Sequence, residues 1–275
     1  MKLWHTRKLQ TMFAEKSQAQ RSNTDMKMDI PKTHPRYQSL ITREKIAEGI
    51  EIGITGEIGL IAHGRGEAFD YLIGEKTTVS AYRAETAAAA ALLLARHPVI
   101  SVNGNTAALV PGEIIKLANT TDAGIEVNLF YRTKERHQNI LKHLQKHGAS
   151  KLYTSTDAKI PNLPHSRAIV DSLGIYKADT VLVPLEDGDR CSALKRMGKN
   201  IITIDLNPMS RTAKTADITI VDNLTRAIPN IITIAEELKN KTTTELQQLL
   251  KNYNNQQTLK DAIKEIIAHL NNQPV

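Results

Sequence analysis

Val181-Leu-Val-Pro-Leu-Glu-Asp-Gly-Asp-Arg190, then Ile201-Ile-Thr-Ile-Asp-Leu-Asn-Pro-Met-Ser-Arg-Thr212, decides the fold. Each stretch opens as a short, β-branched apolar run, the pattern of a strand buried on both faces. Each then stops at a group rich in Asp, Asn, Gly and Arg. A helical pattern over 189–197 joins them, so the unit reads strand, helix, strand. Such a unit implies parallel pairing with a right-handed crossover. Ligands of open parallel sheets bind outside the carboxyl ends of the strands. Polar strand ends side by side therefore point to one anion-handling site.

Working outward, the alternation continues. Pro98 stops an Ala-rich helix predicted over 79–96, and a strand over 99–102 runs into Asn103-Gly-Asn105. Further strands are expected at 125–129, 151–154, 180–183, 201–205 and 218–221. Helices are expected at 133–147 and 189–197, with a loop and short helix over 157–173. Upstream, apolar spacing predicts helices over 36–52 and 57–73. The last forty residues read as polar helices whose packing positions include Leu238, Leu246, Leu249, Leu250, Ile263, Ile266 and Ile267. The expected class is α/β: a Rossmann-like, mostly parallel sheet with helices on both faces, an N-terminal helical region and C-terminal helices. The expected organisation is a basic, disordered leader over 1–33, a single catalytic domain over 34–240 and a helical extension over 241–275.

Composition narrows the function classes. At 275 residues and 41% hydrophobic, the chain can bury a large core. Aromatics at 4% argue against a base-stacking surface for single-stranded nucleic acid. The longest apolar stretch, residues 86–95, is too short to span a bilayer, and no secretory apolar region is found. The lone cysteine, Cys191, excludes a disulfide framework and cysteine-rich zinc sites. A cytoplasmic protein with no membrane or nucleic-acid partner is expected. Residues 1–33 carry seven basic against three acidic side chains, more than half of the net charge of +7. Such a tail is either a solvated leader or a nucleic-acid or membrane contact.

Four clusters carry chemistry, each with a plainer reading beside it. His63-Gly-Arg-Gly-Glu67 puts two glycines in a helical stretch, at about 1 kcal/mol each relative to Ala. They permit either close backbone approach to a phosphate, with Arg65 as charge partner, or tight helix packing. Asn103-Gly-Asn105 is an ordinary turn or a set of backbone donors for an anion. Glu186-Asp-Gly-Asp-Arg190 crowds three carboxylates together; Asp189 caps a helix, or the group suits Mg²⁺ bridging to phosphates. Asp205-Leu-Asn207, with Ser210-Arg-Thr212 and Asp222-Asn223, is either Asx-turn chemistry or a ribose-and-phosphate site. No Gly-x-x-x-x-Gly-Lys-Ser/Thr and no Gly-x-Gly-x-x-Gly occurs. The residues alone lead to a nucleotide or phosphate site and name no reaction.

Longer blocks carry a resemblance. They are His34-Pro-Arg-Tyr, Arg43-Glu-Lys, Leu60 to Glu75, Pro98 to Asn105, Glu126-Val-Asn-Leu-Phe130, Val183 to Arg190, Ile204 to Ala213 and Ile220-Val-Asp-Asn223. Over about 34–238 the chain resembles the archaeal phosphopantothenate synthetases, or 4-phosphopantoate–β-alanine ligases. The resemblance implies a homodimeric ligase of coenzyme A biosynthesis. Such a ligase condenses (R)-4-phosphopantoate with β-alanine to 4'-phosphopantothenate, AMP and diphosphate, using ATP through an acyl-adenylate, with Mg²⁺. By the same resemblance, ATP contacts fall on Arg43, Arg65, Asp205, Leu206, Asn207, Arg211, Thr212, Asn223 and Leu224. Asn103, Asn105, Asp187, Asp189 and Arg190 are assigned to phosphopantoate, metal and the activated carboxyl. A nucleotide-binding regulator of the same fold without ligase chemistry is the alternative, and the crowded carboxylates argue against it.

Overall fold

A computed structural model describes residues 30–185 and 187–273. Most of the leader expected over 1–33 lies outside the described residues, as does Glu186. The chain divides after Ile41 into two units. Within the first, the His34 N–H donates to the Pro31 carbonyl at 2.8 Å, and the Tyr37 N–H to the His34 carbonyl at 2.9 Å. These turns lead into helix α1, Tyr37–Glu51.

The second unit holds the α/β fold. In chain order follow α2 Glu57–Ile73, α3 Val79–Leu94, β1 Pro98–Val102, α4 Gly104–Leu109, α5 Pro111–Thr121, β2 Gly124–Val127, α6 Lys134–Lys146 and β3 Leu152–Tyr153. Next come β4 Ala158–Lys159, β5 Ile169–Val170, β6 Thr180–Pro184, α7 Gly188–Arg196, β7 Asn200–Ile204, α8 Arg211–Thr215 and β8 Ile218–Ile220. Three helices close the chain: α9 Leu224–Leu238, α10 Thr243–Lys251 and α11 Asn255–Asn271.

Six strands form one sheet in the order β3-β2-β1-β6-β7-β8, every pair parallel. Successive side chains alternate between faces. Ile100, Val102, Leu182, Ile202 and Ile204 pack on one side with the Ala-rich α3. Val99, Val181, Val183 and Ile201 pack on the other with Cys191 and Leu194 of α7. Both faces are covered, which is why these strands read as unbroken apolar runs rather than alternating ones. Helix α3 buries Ala81, Ala84 and Ala87 through Ala91, because it lies between the sheet and the C-terminal helices.

Two readings are corrected. Residues 157–173 form no helix beyond a single 3-10 turn at Ser166–Ala168; β4 and β5 pair there as an antiparallel ribbon. Pro161 and Pro164 remove the donors a helix would need. The sequence reading assigns no element to residues 224–235, yet helix α9 runs through them with Pro229 inside it. Its buried stripe of Ala227, Ile228, Ile231, Ile234, Ala235 and Leu238 outweighs one missing hydrogen bond.

Candidate active site

A cavity of about 770 Å³ opens at the carboxyl ends of the strands. It sits beside β1 and β6, where the strand order reverses and a parallel sheet leaves its natural crevice. Asn103 stitches that junction. Its Nδ2 donates to the carbonyls of Pro184 (3.0 Å) and Leu185 (3.3 Å), and its Oδ1 caps α4 by accepting the Thr106 N–H at 3.0 Å. Leu185 holds a left-handed φ of 54°, a conformation that costs a non-glycine residue about 1–2 kcal/mol. The Asn103 bonds fix the carbonyls on either side of that link.

Helix α2 forms one wall through Gly59, Ala62, His63, Arg65, Gly66 and Glu67. Asn105 Nδ2 anchors its first turn by donating to the Gly59 carbonyl at 2.8 Å. The packing reading of the paired glycines finds no support. A Cβ on Gly64 would meet nothing within 4 Å, and one on Gly66 would make an ordinary 3.5 Å contact with Leu206. Gly66 bares the helix backbone to the cavity instead, and Gly64 is exposed. Burial lowers the pKa of His63, so the ring is neutral at pH 7, and its buried Nε2 has no hydrogen-bond partner among the described residues.

The far end is basic and aromatic. Arg136, Arg167, Phe130 and Tyr131 line it together with Asp187. Arg136 is held by the carbonyls of Ile54 (3.0 Å) and Tyr131 (3.2 Å). Its pKa is lowered by burial first and then by the charge of Arg167. Two guanidiniums that repel each other across a cavity favour an anion between them. Asp187 lies 3.4 Å from Arg167 Nε and 3.9 Å from His165 Nε2, and it caps α7 by accepting the Arg190 N–H at 2.9 Å.

Comparison with known proteins gives the family. The phosphopantothenate/pantothenate synthetase family model matches residues 80–269. The 4-phosphopantoate–β-alanine ligase of Methanosarcina mazei is 57% identical over 88% of this chain and 96% of that protein. The namesake from Thermococcus kodakarensis is 56% identical over 87% and 92%, and that from Methanospirillum hungatei 51% over 88% and 98%. The chain belongs to the phosphopantothenate/pantothenate synthetase family.

Seven of the expected family site residues line the cavity: Arg65, Asn103, Asn105, Asp187, Leu206, Asn223 and Leu224. The other seven do not. Arg43 is taken up by Glu67, with Nε 3.0 Å from both carboxylate oxygens and Nη2 at 2.9 Å. Asp205 accepts the Asn207 N–H at 2.9 Å and the Ser210 hydroxyl, and burial raises its pKa against the pull of Arg65. Asn207 closes the next turn by accepting the Met209 N–H at 3.0 Å. Asp189 pairs with Arg211 at 2.7 Å on the surface. Thr212 is buried. Arg190 is wholly buried and donates to Ser101 Oγ at 3.1 Å, behind the strand ends.

No group of three acidic, histidine or cysteine side chains fit to hold a metal is found among the described residues. Asp187 and Asp189 already serve a cap and an ion pair, so no protein cage for Mg²⁺ is assigned. Sequence reading missed Arg136, Arg167 and Tyr131. Arg136 sits in Lys134-Glu-Arg-His137, which looks like a solvated helix face. Phe130 closes one of the family blocks and was within reach.

Proposed function

We propose that the protein is the ATP-dependent ligase that joins (R)-4-phosphopantoate to β-alanine, giving 4'-phosphopantothenate, AMP and diphosphate. The observation that carries this reading is the one cavity with cations at both ends, Arg65 at one and Arg136 with Arg167 at the other, in a chain of this family. A reaction that brings together two highly anionic substrates, ATP and a phosphorylated carboxylate, needs such a distribution.

The carboxylate of phosphopantoate attacks the α-phosphorus of ATP, and the bond to diphosphate breaks. The acyl-adenylate so formed is attacked by the β-alanine amine. The acyl–oxygen bond to AMP breaks, and the amine nitrogen gives up its proton. Arg65 and the bared backbone at Gly66 take the triphosphate. Leu206, Asn223 and Leu224 receive the adenosine, with Asp205 toward the ribose. Arg136 and Arg167 bind the phosphate of phosphopantoate. Mg²⁺ enters as the counter-ion of ATP. Arg43 reaches the nucleotide once the triphosphate competes with Glu67 for it. Arg190, Asp189, Arg211 and Thr212 act from behind, by holding the strand ends and the first turn of α7.

The working form is a homodimer in the cytoplasm. Leu60 and Ile61 on α2, outside the cavity lining, are 42% and 69% exposed, apolar side chains suited to a second copy. No helix among the described residues is long and apolar enough to cross a membrane. The organisation into a leader, a catalytic domain over 34–240 and a helical extension over 241–275 is kept as part of this reading. The test is product analysis: with ATP, 4-phosphopantoate and β-alanine, AMP and diphosphate form in equal amounts. ADP and phosphate in their place would overturn the adenylate route.

A further inference from the structure

Helix α2 carries eight residues of the cavity wall, yet only Asp70 and Ile73 of its seventeen residues are buried. Its seat on the domain rests heavily on Asp70. That carboxylate is 5% exposed and meets Arg226 of α9 in a two-pronged contact, Nη2 to Oδ1 at 2.5 Å and Nη1 to Oδ2 at 3.2 Å. The same guanidinium turns back to Asp222, with Nε and Nη2 donating to Oδ1 at 2.9 and 2.6 Å. Asp222 follows β8 by two residues and is 1% exposed. Between these two carboxylates lies Asn223. Its Nδ2 donates to Asp70 Oδ2 at 2.8 Å, its N–H donates to Asp222 at 2.6 Å, and its Oδ1 caps α9 by accepting the Thr225 N–H at 3.1 Å.

The placement of Arg226 breaks a local rule. It is the third residue of α9, where the helix dipole favours an acid and disfavours a cation. Nothing in the helix itself calls for Arg there. Only the two buried carboxylates account for it, and only a planar fork can bridge both at once. The network continues away from the cavity. Thr77 Oγ1 donates to Asp222 Oδ2 at 2.5 Å, and Asn230 Nδ2 reaches Thr77 at 3.2 Å and Glu85 at 3.1 Å. Asn223 and Leu224 line the same cavity as Arg65 and Gly66. One guanidinium therefore sets the distance between two walls of the site.

We infer that Arg226 is a positioning residue for the nucleotide: by clamping Asp70 to Asp222 it fixes α2 against the Asn223–Leu224 strand end, and it touches no substrate itself. The inference rests on the ligase reading only for which ligand occupies that end. The far end, with Arg136 and Arg167, is held by other contacts. The effect is accordingly specific for ATP.

The test uses Arg226→Lys, which keeps the charge but not the fork, and Asp70→Asn, which keeps the shape but not the pair. Both are compared with the parent by thermal melting, by calorimetric ATP binding and by steady-state kinetics in each substrate. The expected result is ATP binding and ATP KM weakened by about tenfold or more, as for a wall displaced by a fraction of an ångström to an ångström. The KM values for phosphopantoate and β-alanine stay within about threefold, and kcat falls far less than kcat/KM for ATP. A folded Arg226→Lys variant that binds ATP like the parent overturns the inference. So does a uniform loss of kcat with ATP binding unchanged. If Arg226→Lys does not fold, Asp70→Asn decides by the same readings. Calorimetry needs no turnover, so a parent that binds ATP without making AMP would refute the ligase reading and leave the clamp to stand or fall by itself.

Discussion

Gly66 shows at single-residue scale how much a sequence can say. Two glycines in a helical stretch were legible as an anomaly, but their purpose was not. Packing and ligand approach leave the same letters, and only the open space around Gly64 and the cavity beside Gly66 separate them. Gly66→Ala is thus expected to leave the empty protein as stable or up to about 1 kcal/mol more stable, since alanine is the better helix former. The new methyl meets only Leu206 at an ordinary 3.5 Å. ATP binding is expected to weaken, because the methyl stands where a phosphate meets the bare backbone. Chemical denaturation and ATP titration on one variant decide it. A destabilised variant with parental ATP affinity would restore the packing role. Asn103 teaches the converse: its turn-like letters were correctly ambiguous, because the same side chain caps α4 and ties two strands. Arg136 and Arg167 were illegible because charge in a helix or loop reads as solvated until the fold brings two such charges together.

At the scale of elements, alternating strands and helices were readable because each central strand is buried on both faces and each crossover ends in a turn. Element α9 was not, because a proline within a β-branched run has no local signature that favours helix; its partners, α3 and α5, supply the reason from outside the segment. The short ribbon of β4 and β5 escaped for the same reason. The first turn of α7 joins both lessons. Three carboxylates there suggested a metal, yet Asp187 caps the helix and Asp189 pairs with Arg211 in the open. Replacing both by Asn is expected to change stability by no more than about 1 kcal/mol. Asn caps as well as Asp, and an exposed pair is worth little. Turnover is expected to fall at least about tenfold, roughly 1.4 kcal/mol of transition-state stabilisation, because Asp187 borders the cavity beside Arg167. Melting and product formation are measured on the same variant. A large stability loss with specific activity intact would make these residues scaffold alone.

For the whole molecule, the hidden carboxyls set how stability responds to pH, and nothing in the sequence marks them. Glu85 lies in the Ala-rich α3 and is fully buried. Burial first, then the charge of Asp222, lifts its pKa from 4.5 to about 8. Glu126 in β2 is 3% exposed, and burial lifts it to about 7 although two backbone N–H groups favour its charged form. A carboxyl whose folded pKa is raised holds its proton more tightly in the native state. Its contribution is therefore complete below about pH 4.5 and is lost as pH rises through the folded value. His137 acts the other way. Burial lowers it from 6.5 to about 4, so its contribution is complete above 6.5 and is lost only on acidification. Above pH 6.5 the two glutamates therefore act without that opposition. The net charge of +7 declines as pH rises, and relief of self-repulsion works weakly against them. The expected outcome is a melting temperature that falls from pH 6.5 to 8.5, by up to about 1.4 kcal/mol of stability per pH unit for each proton released. Glu85→Gln keeps the neutral shape that Asn230 and Asp222 surround but has no proton to release on unfolding, so its margin over the parent should widen from pH 6.5 to about pH 8 and then level off. Glu126→Gln should flatten only the portion below about pH 7.5. Melting curves of the three proteins across that range provide the check. A parent whose stability is flat from pH 6.5 to 8.5, or a Glu85→Gln variant with the parent's slope, would show that Glu85 is already ionised in the fold and that Arg226 must balance three charges rather than two.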